Sequence, residues 1–439
     1  MRTVEPIARR PIVVRSVSRY NLLPLQATIL SVMKMIQGHA EPAFQAVEKA
    51  FREQLQKTPG GGAVCVYHRG RKVVDLWGGI RDDHGNPWLE DTLSVSFSTT
   101  KGVTATLLHQ LVAEGKVNYD TPVSHYWPEF SANGKSAITV RDLLTHRAGM
   151  YGMRGLKLSF EDLLDWDRAC TALAAAPSNR DKAPHSVYHA LTYGWLVGEV
   201  IRRAGGDSIT NLVQEKIARP LALDGFYIGV PDSEHHRVAT LLMGRPEGAP
   251  KRSSSAGSSL KKRIGRNLRS GLITLQQRGL APDFSPFEDA VSVRGFHPRK
   301  LVTAEGLRAA MPAVNGTFTA RSLARMYAAL ANGGELDGVR IMDAGMLPVI
   351  SAQQVDTLDR ALFSPMRWRL GYHQPYVLSK RRPRQAFGHF GFGGSGAWAD
   401  PARNLSVALT VNAGSGTPWG DMRILKIGAA ALSSVNRSS

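Results

Sequence analysis

Hydrophobic positions change their spacing along the chain. Near the start, apolar residues recur at helical spacing and predict a helix over 41–56. Two apolar runs, 63–67 and 72–77, flank a short polar turn and predict a β-hairpin. Near the end, apolar and small residues predict a strand over 396–399, and strict alternation predicts another over 405–411. Strands are therefore expected from both ends of the chain.

The middle of the chain carries mostly the spacing of amphipathic helices. Helices are predicted over 98–113, 140–144, 160–175, 193–204, 209–218 and 321–330, and a last one over 421–432. This order predicts the α/β (α+β) class, with one antiparallel sheet assembled from both ends and flanked by helices. A mostly helical subdomain, roughly 115–330, is inserted into it. The expected site is the cleft between the two parts.

Three further segments are predicted around this domain. Residues 1–38 are a basic leader, 39–432 form the domain, and 433–439 are a tail. Within the domain, 244–271 is rich in Gly, Ser, Lys and Arg and has too few apolar residues to pack. It is interpreted as a flexible basic insertion.

The 439 residues carry a net charge of +19, which by itself favours an anionic partner. The whole excess lies in three segments, 1–39, 244–282 and 365–385. Nucleic-acid binding needs Lys and Arg arrayed over one docking surface, so we expect no nucleic-acid partner. Two interpretations stay open for these segments: plain solvated surface, or weak contact with an anionic membrane.

The remaining composition excludes several classes of protein. Two cysteines, Cys65 and Cys170, cannot supply a disulfide framework or a four-ligand zinc site, and we expect no metal and no cofactor. No apolar run is long enough for a transmembrane helix. The stretch 22–36 is only faintly similar to a signal peptide, because polar residues and a proline interrupt it. A cytoplasmic or peripherally membrane-associated protein of open oligomeric state is expected.

Ser98 and Lys101 form a Ser-x-x-Lys pattern at the predicted start of a helix. Spacing of three places both side chains on one helix face, where the amine can reach the hydroxyl. Partial burial favours a neutral amine, which can act as a base. The pattern occurs four times in the chain, but only here on a rigid scaffold. The alternative is that Ser98 merely caps the helix.

Two other stretches carry candidate chemistry. Tyr188 can relay a proton if a nearby cation lowers the pKa of its phenol; otherwise it is a packing aromatic. His185 and His189 are four apart, but no glutamate accompanies them as a metal site would require. The segment 388–396 contains Gly-x-Gly-x-x-Gly, yet a hairpin follows it, so a dinucleotide site is excluded. Its glycines instead permit close approach of a substrate carbonyl to backbone N–H groups.

Together these stretches resemble the serine β-lactamase and penicillin-binding-protein superfamily, and most closely its esterase branch, the family VIII carboxylesterases. The resemblance covers roughly residues 40–432 and lies in five ordered blocks: Ser96–Gly102, Thr139–Gly149, Tyr188–Trp195, Asn315–Thr317 with Ala320–Ala324, and Gly388–Gly391. It implies an active site between a sheet domain and a helical domain.

The resemblance also implies roles for individual residues. Ser98 is the acyl-accepting nucleophile, Lys101 its base partner and Tyr188 the proton relay. His389, Phe390 and Gly391 occupy the place of the family's Lys-Thr-Gly strand, and the backbone N–H groups of Ser98 and Phe392 form the oxyanion hole.

Two departures from the family pattern change the expected substrate. The usual Tyr-x-Asn is Tyr188-His189-Ala190, and His389 replaces the strand lysine, so its charge depends on pH. Both changes remove β-lactam recognition, and a neutral small-molecule ester, with a lipid ester as one option, becomes the expected substrate. A β-lactamase or D-Ala-D-Ala peptidase and a non-catalytic scaffold stay as alternatives. Acyl chain length is open, and five aromatics either line an apolar pocket or pack in the core: Trp77, Phe97, Phe390, Phe392 and Trp398.

Overall fold

The computed structural model describes residues 35–180, 185–242, 283–378, 383–414 and 422–435. Its strands, in chain order, are β1 Ile36–Ala40, β2 Gly62–His68, β3 Arg71–Gly78, β4 Ser94–Val95, β5 Phe226–Tyr227, β6 Thr317–Phe318, β7 Glu335–Leu336, β8 Val339–Arg340, β9 Phe387–Phe390, β10 Gly396–Asp400 and β11 Leu405–Val411. Six of them form one antiparallel sheet in the order β1-β3-β2-β11-β10-β9, and three short strands form a second sheet in the order β4-β6-β5.

The main sheet joins the two ends of the chain. The β2–β3 hairpin from the start pairs with β11 from the end, with Gly62 opposite Val411 and His68 opposite Leu405. The alternation along 405–411 has its expected cause, because successive side chains point to opposite faces of the sheet. The predicted fold, a sheet assembled from both ends, is confirmed.

Helices flank this sheet and fill the middle of the chain. They are α1 Gln45–Lys57, α2 Thr100–Ala113, α3 Val123–Tyr126, α4 Val140–Leu144, α5 Phe160–Leu163, α6 Trp166–Ala175, α7 Tyr193–Gly205, α8 Ile209–Val213, α9 Ser285–Val291, α10 Ala304–Arg308, α11 Ala320–Ala331, α12 Met346–Ser351 and α13 Arg423–Val435. Within the described ranges, no helix combines the length and the apolar composition that a membrane span requires.

Capping residues explain where several helices begin. Thr139 and Asp142 form a reciprocal capping box at the start of α4, which matches the predicted bounds 140–144. The helix predicted over 160–175 is two helices, because the Asp165 side chain accepts the N–H of Arg168 and starts α6 anew.

The two faces of the sheet are buried against different layers. On one face, α1 and α13 pack against each other and cover a core that includes Phe51, Val64 and Ile427. On the other face, α11 contacts β2, β10 and β11. The mostly helical part of the chain shares one hydrophobic core with α11 on this face. Cys65 on β2 and Cys170 on α6 are both free and buried, and burial raises the pKa of both thiols. Cys65 packs in the core as a small hydrophobic residue, as expected, whereas the Cys170 thiol donates to Glu199 Oε2 at 3.7 Å.

Three predicted boundaries differ from the structure. Strand β1 begins at Ile36, inside the predicted leader, because residues 36–40 pair with β3. Helix α13 continues to Val435, into the predicted tail. The predicted helical subdomain ended near 330, but α11 packs on the sheet, and the same span contributes β5 and β6 to the small sheet. The leader up to residue 34, the insertion 244–271 and residues 436–439 lie outside the described residues.

Candidate active site

Ser98 lies on a short 3₁₀ turn, Phe97–Thr99, that connects β4 to α2. Phe97 has φ of 46°, in the left-handed region that a bulky residue seldom adopts. The turn leaves the Ser98 side chain half-buried between fully buried neighbours. Thr99, and not Ser98, occupies the cap position of α2, and Ser98 does not serve as a helix cap. The local backbone therefore presents one hydroxyl at the start of a buried helix.

Lys101 is completely buried on the first turn of α2. Its Nζ lies 3.1 Å from Ser98 Oγ, 2.7 Å from the carbonyl oxygen of Ala190 and 3.0 Å from that of Ala313. Burial lowers the pKa of this amine well below its ordinary value. A neutral amine has two N–H bonds, which the two carbonyls can accept, and its lone pair then faces the hydroxyl of Ser98.

Tyr188 approaches Ser98 from a loop, with its hydroxyl 2.7 Å from Ser98 Oγ. Burial raises the pKa of this phenol, so the condition of a pKa lowered by a nearby cation is not met. Lys101 Nζ lies 4.9 Å from the ring centroid, and burial lowers the pKa of that amine as well, which disfavours its charged form. Tyr188 is therefore a protonated donor to Ser98, and a chain of hydrogen bonds can run from Tyr188 through Ser98 to the lone pair of Lys101.

Three side chains contact Tyr188 and fix its position. The indole of Trp368 stacks on its ring at a centroid distance of 5.6 Å and an angle of 5°. The buried Asp359 carboxylate accepts the backbone N–H of Tyr188 at 3.2 Å and the indole N–H of Trp368 at 3.1 Å. The imidazole of His146 lies 4.9 Å from the tyrosine ring. One carboxylate thus links the loop of Tyr188 to the aromatic side chain that supports it.

The glycine-rich segment begins as strand β9 and ends as a tight turn beside Ser98. A Cβ on Gly391 would lie 2.2 Å from the carbonyl oxygen of Ser96, so only glycine fits there. The ring of the next residue, Phe392, packs edge-on against Phe97 at 5.6 Å. These contacts bring the backbone around Phe392 to the turn that carries Ser98.

His389 on β9 is buried, and burial together with the nearby His373 and Lys101 lowers its pKa well below the ordinary value. The imidazole is therefore uncharged near neutral pH. The Lys-Thr-Gly position thus offers no positive group for a substrate carboxylate. The weaker, pH-dependent charge expected at this position stays a prediction.

A cavity of about 700 Å³ opens beside Ser98. Every residue named for the site except Lys101 lines it, namely Ser98, Tyr188, His389, Phe390, Gly391 and Phe392. Of the five candidate pocket aromatics, Phe97, Phe390 and Phe392 line the cavity. Trp77 instead packs under the Arg321 guanidinium, and Trp398 is part of the core beneath α13. Three of the five aromatics therefore line the cavity, and the other two pack elsewhere in the fold.

Sequence reasoning missed Asp359 and Trp368, which no motif or spacing marks. Asp359 stands between Leu358 and Arg360 in a mixed polar and apolar stretch, and Trp368 follows nine residues later, so the sequence carries no signal for either residue. His189, weighed as a metal ligand, accepts the N–H of Met150 at 3.0 Å and lies in a loop. Across the described ranges, no group of three or more potential ligands is suitably placed for a metal ion.

A serine hydroxyl within hydrogen-bond distance of a buried lysine amine and of a tyrosine hydroxyl is the arrangement of serine hydrolases that use a Ser-Lys-Tyr site. The sequence model of the Beta-lactamase family matches residues 45–431, and the chain belongs to that family. It is a serine hydrolase of the β-lactamase-like fold with esterases among its relatives, so the predicted superfamily is confirmed.

Known relatives place the chain near esterases. Esterase/beta-lactamase LipL of Mycobacterium tuberculosis is 38% identical over 383 residues, which are 85% of this chain and 82% of LipL. The crystal structure of a family VIII carboxylesterase superposes with a TM-score of 0.78 at 32% identity, covering 91% of this chain and 100% of that one. A penicillin-binding protein homologue from Caulobacter crescentus reaches 0.74 at 33% identity, with 91% and 100% coverage.

Proposed function

We propose that the protein hydrolyses carboxylic esters through an acyl-enzyme on Ser98, with Lys101 as the base and Tyr188 as the proton relay. The observation that carries the proposal is the pair of contacts to Ser98 Oγ, 3.1 Å from the lysine amine and 2.7 Å from the tyrosine hydroxyl. The names of LipL and of the family VIII carboxylesterase support the ester as substrate.

In the first half-reaction, Lys101 takes the proton of Ser98 as Oγ attacks the ester carbonyl. A bond forms between Oγ and the carbonyl carbon, and the carbonyl electrons move to oxygen. Collapse of this intermediate breaks the bond to the alcohol, which leaves with a proton from the Tyr188 hydroxyl, and Tyr188 regains its proton from Lys101. Water then attacks the acyl-enzyme by the reverse route and releases the acid.

The oxyanion requires N–H donors near Ser98. We assign this role to the backbone of Ser98 and Phe392, which lie on the two segments that Gly391 and the Phe97 ring hold together. Removing one such donor in comparable hydrolases costs roughly 3 to 4 kcal/mol of transition-state stabilisation. Close backbone approach at Gly391 is thus the structural support for the assignment.

β-Lactam hydrolysis is the second candidate, and one observation favours it: the relative LipL is named for both activities. Against it, none of the described residues that line the cavity is Asp, Glu, Lys or Arg, and burial lowers the pKa of His389 and disfavours its charged form. A β-lactam carboxylate would enter this cavity without a charged partner, at a substantial desolvation cost. We therefore expect nitrocefin turnover well below ester turnover.

The test compares two serines of one cavity. Ser364 also lines the cavity, but its hydroxyl is bonded to Tyr376 at 2.8 Å and has no lysine beside it. Ser98→Ala should abolish p-nitrophenyl butyrate hydrolysis and fluorophosphonate labelling, whereas Ser364→Ala should keep both. Labelling that survives in folded Ser98→Ala would reject the assignment. Absence of labelling in the unmodified protein would instead favour a non-catalytic scaffold.

A further inference from the structure

None of the described residues that line the cavity beside Ser98 is Asp, Glu, Lys or Arg, and most of them are apolar. Its volume of about 700 Å³ lies in the upper part of the range of pockets that hold drug-sized ligands. Of its polar lining residues other than Ser98 and Tyr188, Ser364 bonds to Tyr376, and His373 Nε2 accepts the N–H of Phe390, whereas His389 Nε2 has no hydrogen-bond partner among the described residues. Burial lowers the pKa of His373 to about 4, so it is neutral near pH 7. The described part of the lining therefore offers surface for hydrocarbon and no charged partner for an ion.

Two separate helices build the apolar walls. Helix α9 contributes Phe287 and Val291, and α13 contributes Leu425. At the opening, the lining residues Leu378 and Met422 are 56% and 49% exposed. The apolar lining thus continues from the serine to the surface, and a chain longer than the cavity can extend outward.

We propose that this cavity binds the long or bulky apolar group of a neutral ester, with a hydrocarbon part of about six carbons or more. This inference rests on the proposed ester hydrolysis and names its substrate class. Each methylene moved from water to an apolar wall improves binding by about fourfold. Transition-state binding raises kcat/KM in the same way, so selectivity should rise with chain length.

The first experiment measures kcat/KM for p-nitrophenyl esters from acetate to decanoate, and for alkyl acetates from ethyl to octyl. We expect a rise of at least about tenfold between the four-carbon and eight-carbon members of one series, and that series identifies the half of the ester that enters. A matched pair tests charge: p-nitrophenyl hexanoate against the p-nitrophenyl monoester of adipic acid. The terminal carboxylate should lower kcat/KM at least about 100-fold.

The second experiment reduces the volume of the cavity by placing a tryptophan at a residue that lines it. Val291→Trp should lower kcat/KM for octanoate at least about tenfold while acetate changes less than threefold. Val349→Trp is the matched control, because Val349 is exposed on α12 and does not line the cavity. Leu425→Trp repeats the test from α13, so that failure of one variant to fold does not decide the outcome.

The results separate this inference from the proposed function. A flat or falling chain-length profile in both series, or equal losses for acetate and octanoate in folded wall variants, would overturn the inference. In that case Ser98→Ala would still abolish hydrolysis if the proposed function is right. Residual hydrolysis in Ser98→Ala would remove the proposed function itself.

Discussion

Two lysines, in two regions of the molecule, are both fully buried, and they differ in one acceptor. Lys101 contacts two carbonyl oxygens and the hydroxyl of Ser98. Lys135, in the helical part, donates to three carbonyl oxygens, those of Ala132, Ala174 and Ala176. Burial lowers the pKa of both amines, and it lowers that of Lys101 much further. Neither amine has a carboxylate partner in the described part of the chain.

The difference shows that a buried lysine alone does not mark a site. Three carbonyl acceptors match the three N–H bonds of an ammonium group, so Lys135 can remain charged and act as a structural clamp. Two carbonyls match a neutral amine and leave its lone pair for the hydroxyl. The third acceptor therefore separates a structural lysine from a basic one.

The largest effect tests this comparison directly. Lys101→Met removes the proposed base, and kcat/KM should fall about 10³- to 10⁴-fold. Lys135→Met leaves three buried carbonyls without their donor and should lower the free energy of unfolding by about 2–4 kcal/mol, with activity within threefold. Ester kinetics and urea unfolding of both variants measure the two effects. Equal losses of kcat/KM in the two folded variants would contradict the distinction between a basic Lys101 and a structural Lys135.

Tyr188 provides the second test of the comparison between the two lysines. It donates a hydrogen bond to the Ser98 hydroxyl, which contacts Lys101, whereas the three acceptors of Lys135 are carbonyl oxygens. Tyr188→Phe should lower kcat about 100-fold through loss of the proton relay. Tyr193→Phe is the control: its hydroxyl is buried, and among the described residues it has no hydrogen-bond partner, although its ring lies 5.8 Å from Lys101 Nζ. We expect full activity for the control. A comparable loss in both variants would mean that removing any buried hydroxyl near Lys101 lowers activity, and that Tyr188 has no specific role as the proton relay.

Sequence reasoning reached the parts of the site that local spacing encodes. Ser98 and Lys101 are three residues apart on one turn, so their contact follows from helix geometry. The sheet followed from the alternation in β11 and the hairpin signal, which depend on neighbouring residues only. The resemblance supplied Tyr188, which spacing alone did not distinguish from a packing aromatic.

The missed parts depend on contacts between distant segments. Asp359 lies 171 positions from Tyr188, and no pattern in the sequence around either residue predicts the hydrogen bond between them. The raised pKa of Tyr188 could not be foreseen, because the burial of its loop is a tertiary property. Lys135 shows the same limit, since its acceptors Ala174 and Ala176 come from the distant end of α6.

The third predicted effect is a smaller loss of kcat/KM, caused by a substitution at Gly391 beside Ser98. Gly391→Ala places a Cβ 2.2 Å from the Ser96 carbonyl oxygen, so β9 and the Ser98 turn must separate. We expect kcat/KM to fall about 10- to 100-fold as the proposed oxyanion donor moves. Gly155→Ala, in the helical part, meets nothing within 4 Å and should be neutral. Unchanged activity in Gly391→Ala would contradict the assignment of the Phe392 backbone N–H as an oxyanion donor.

The smallest effect compares the buried acids of the two regions. Burial raises the pKa of Asp359 to about 6, and its four hydrogen-bond donors are all neutral. Burial also acts to raise the pKa of Glu199, but hydrogen bonds from Arg202, Arg203 and Trp166 outweigh it, and the pKa ends below its ordinary value. The helical region therefore holds its acid as a paired anion, whereas the active region holds an acid that readily takes a proton.

The two acids should give opposite pH dependence. Folded Asp359 binds a proton more tightly than the unfolded chain, so its contribution to stability is greatest below about pH 4 and falls by ~3 kcal/mol as pH rises through about 6. Glu199 stabilises the fold above its ordinary pKa of 4.5 and loses that contribution as pH falls. Urea unfolding between pH 3.5 and 7 should show the advantage of the unmodified protein over Asp359→Asn shrinking as pH rises, and its advantage over Glu199→Gln growing. Parallel curves for the two variants would mean that the protein holds both acids in the same way, which would contradict the contrast between the unpaired acid of the active region and the ion-paired acid of the helical region.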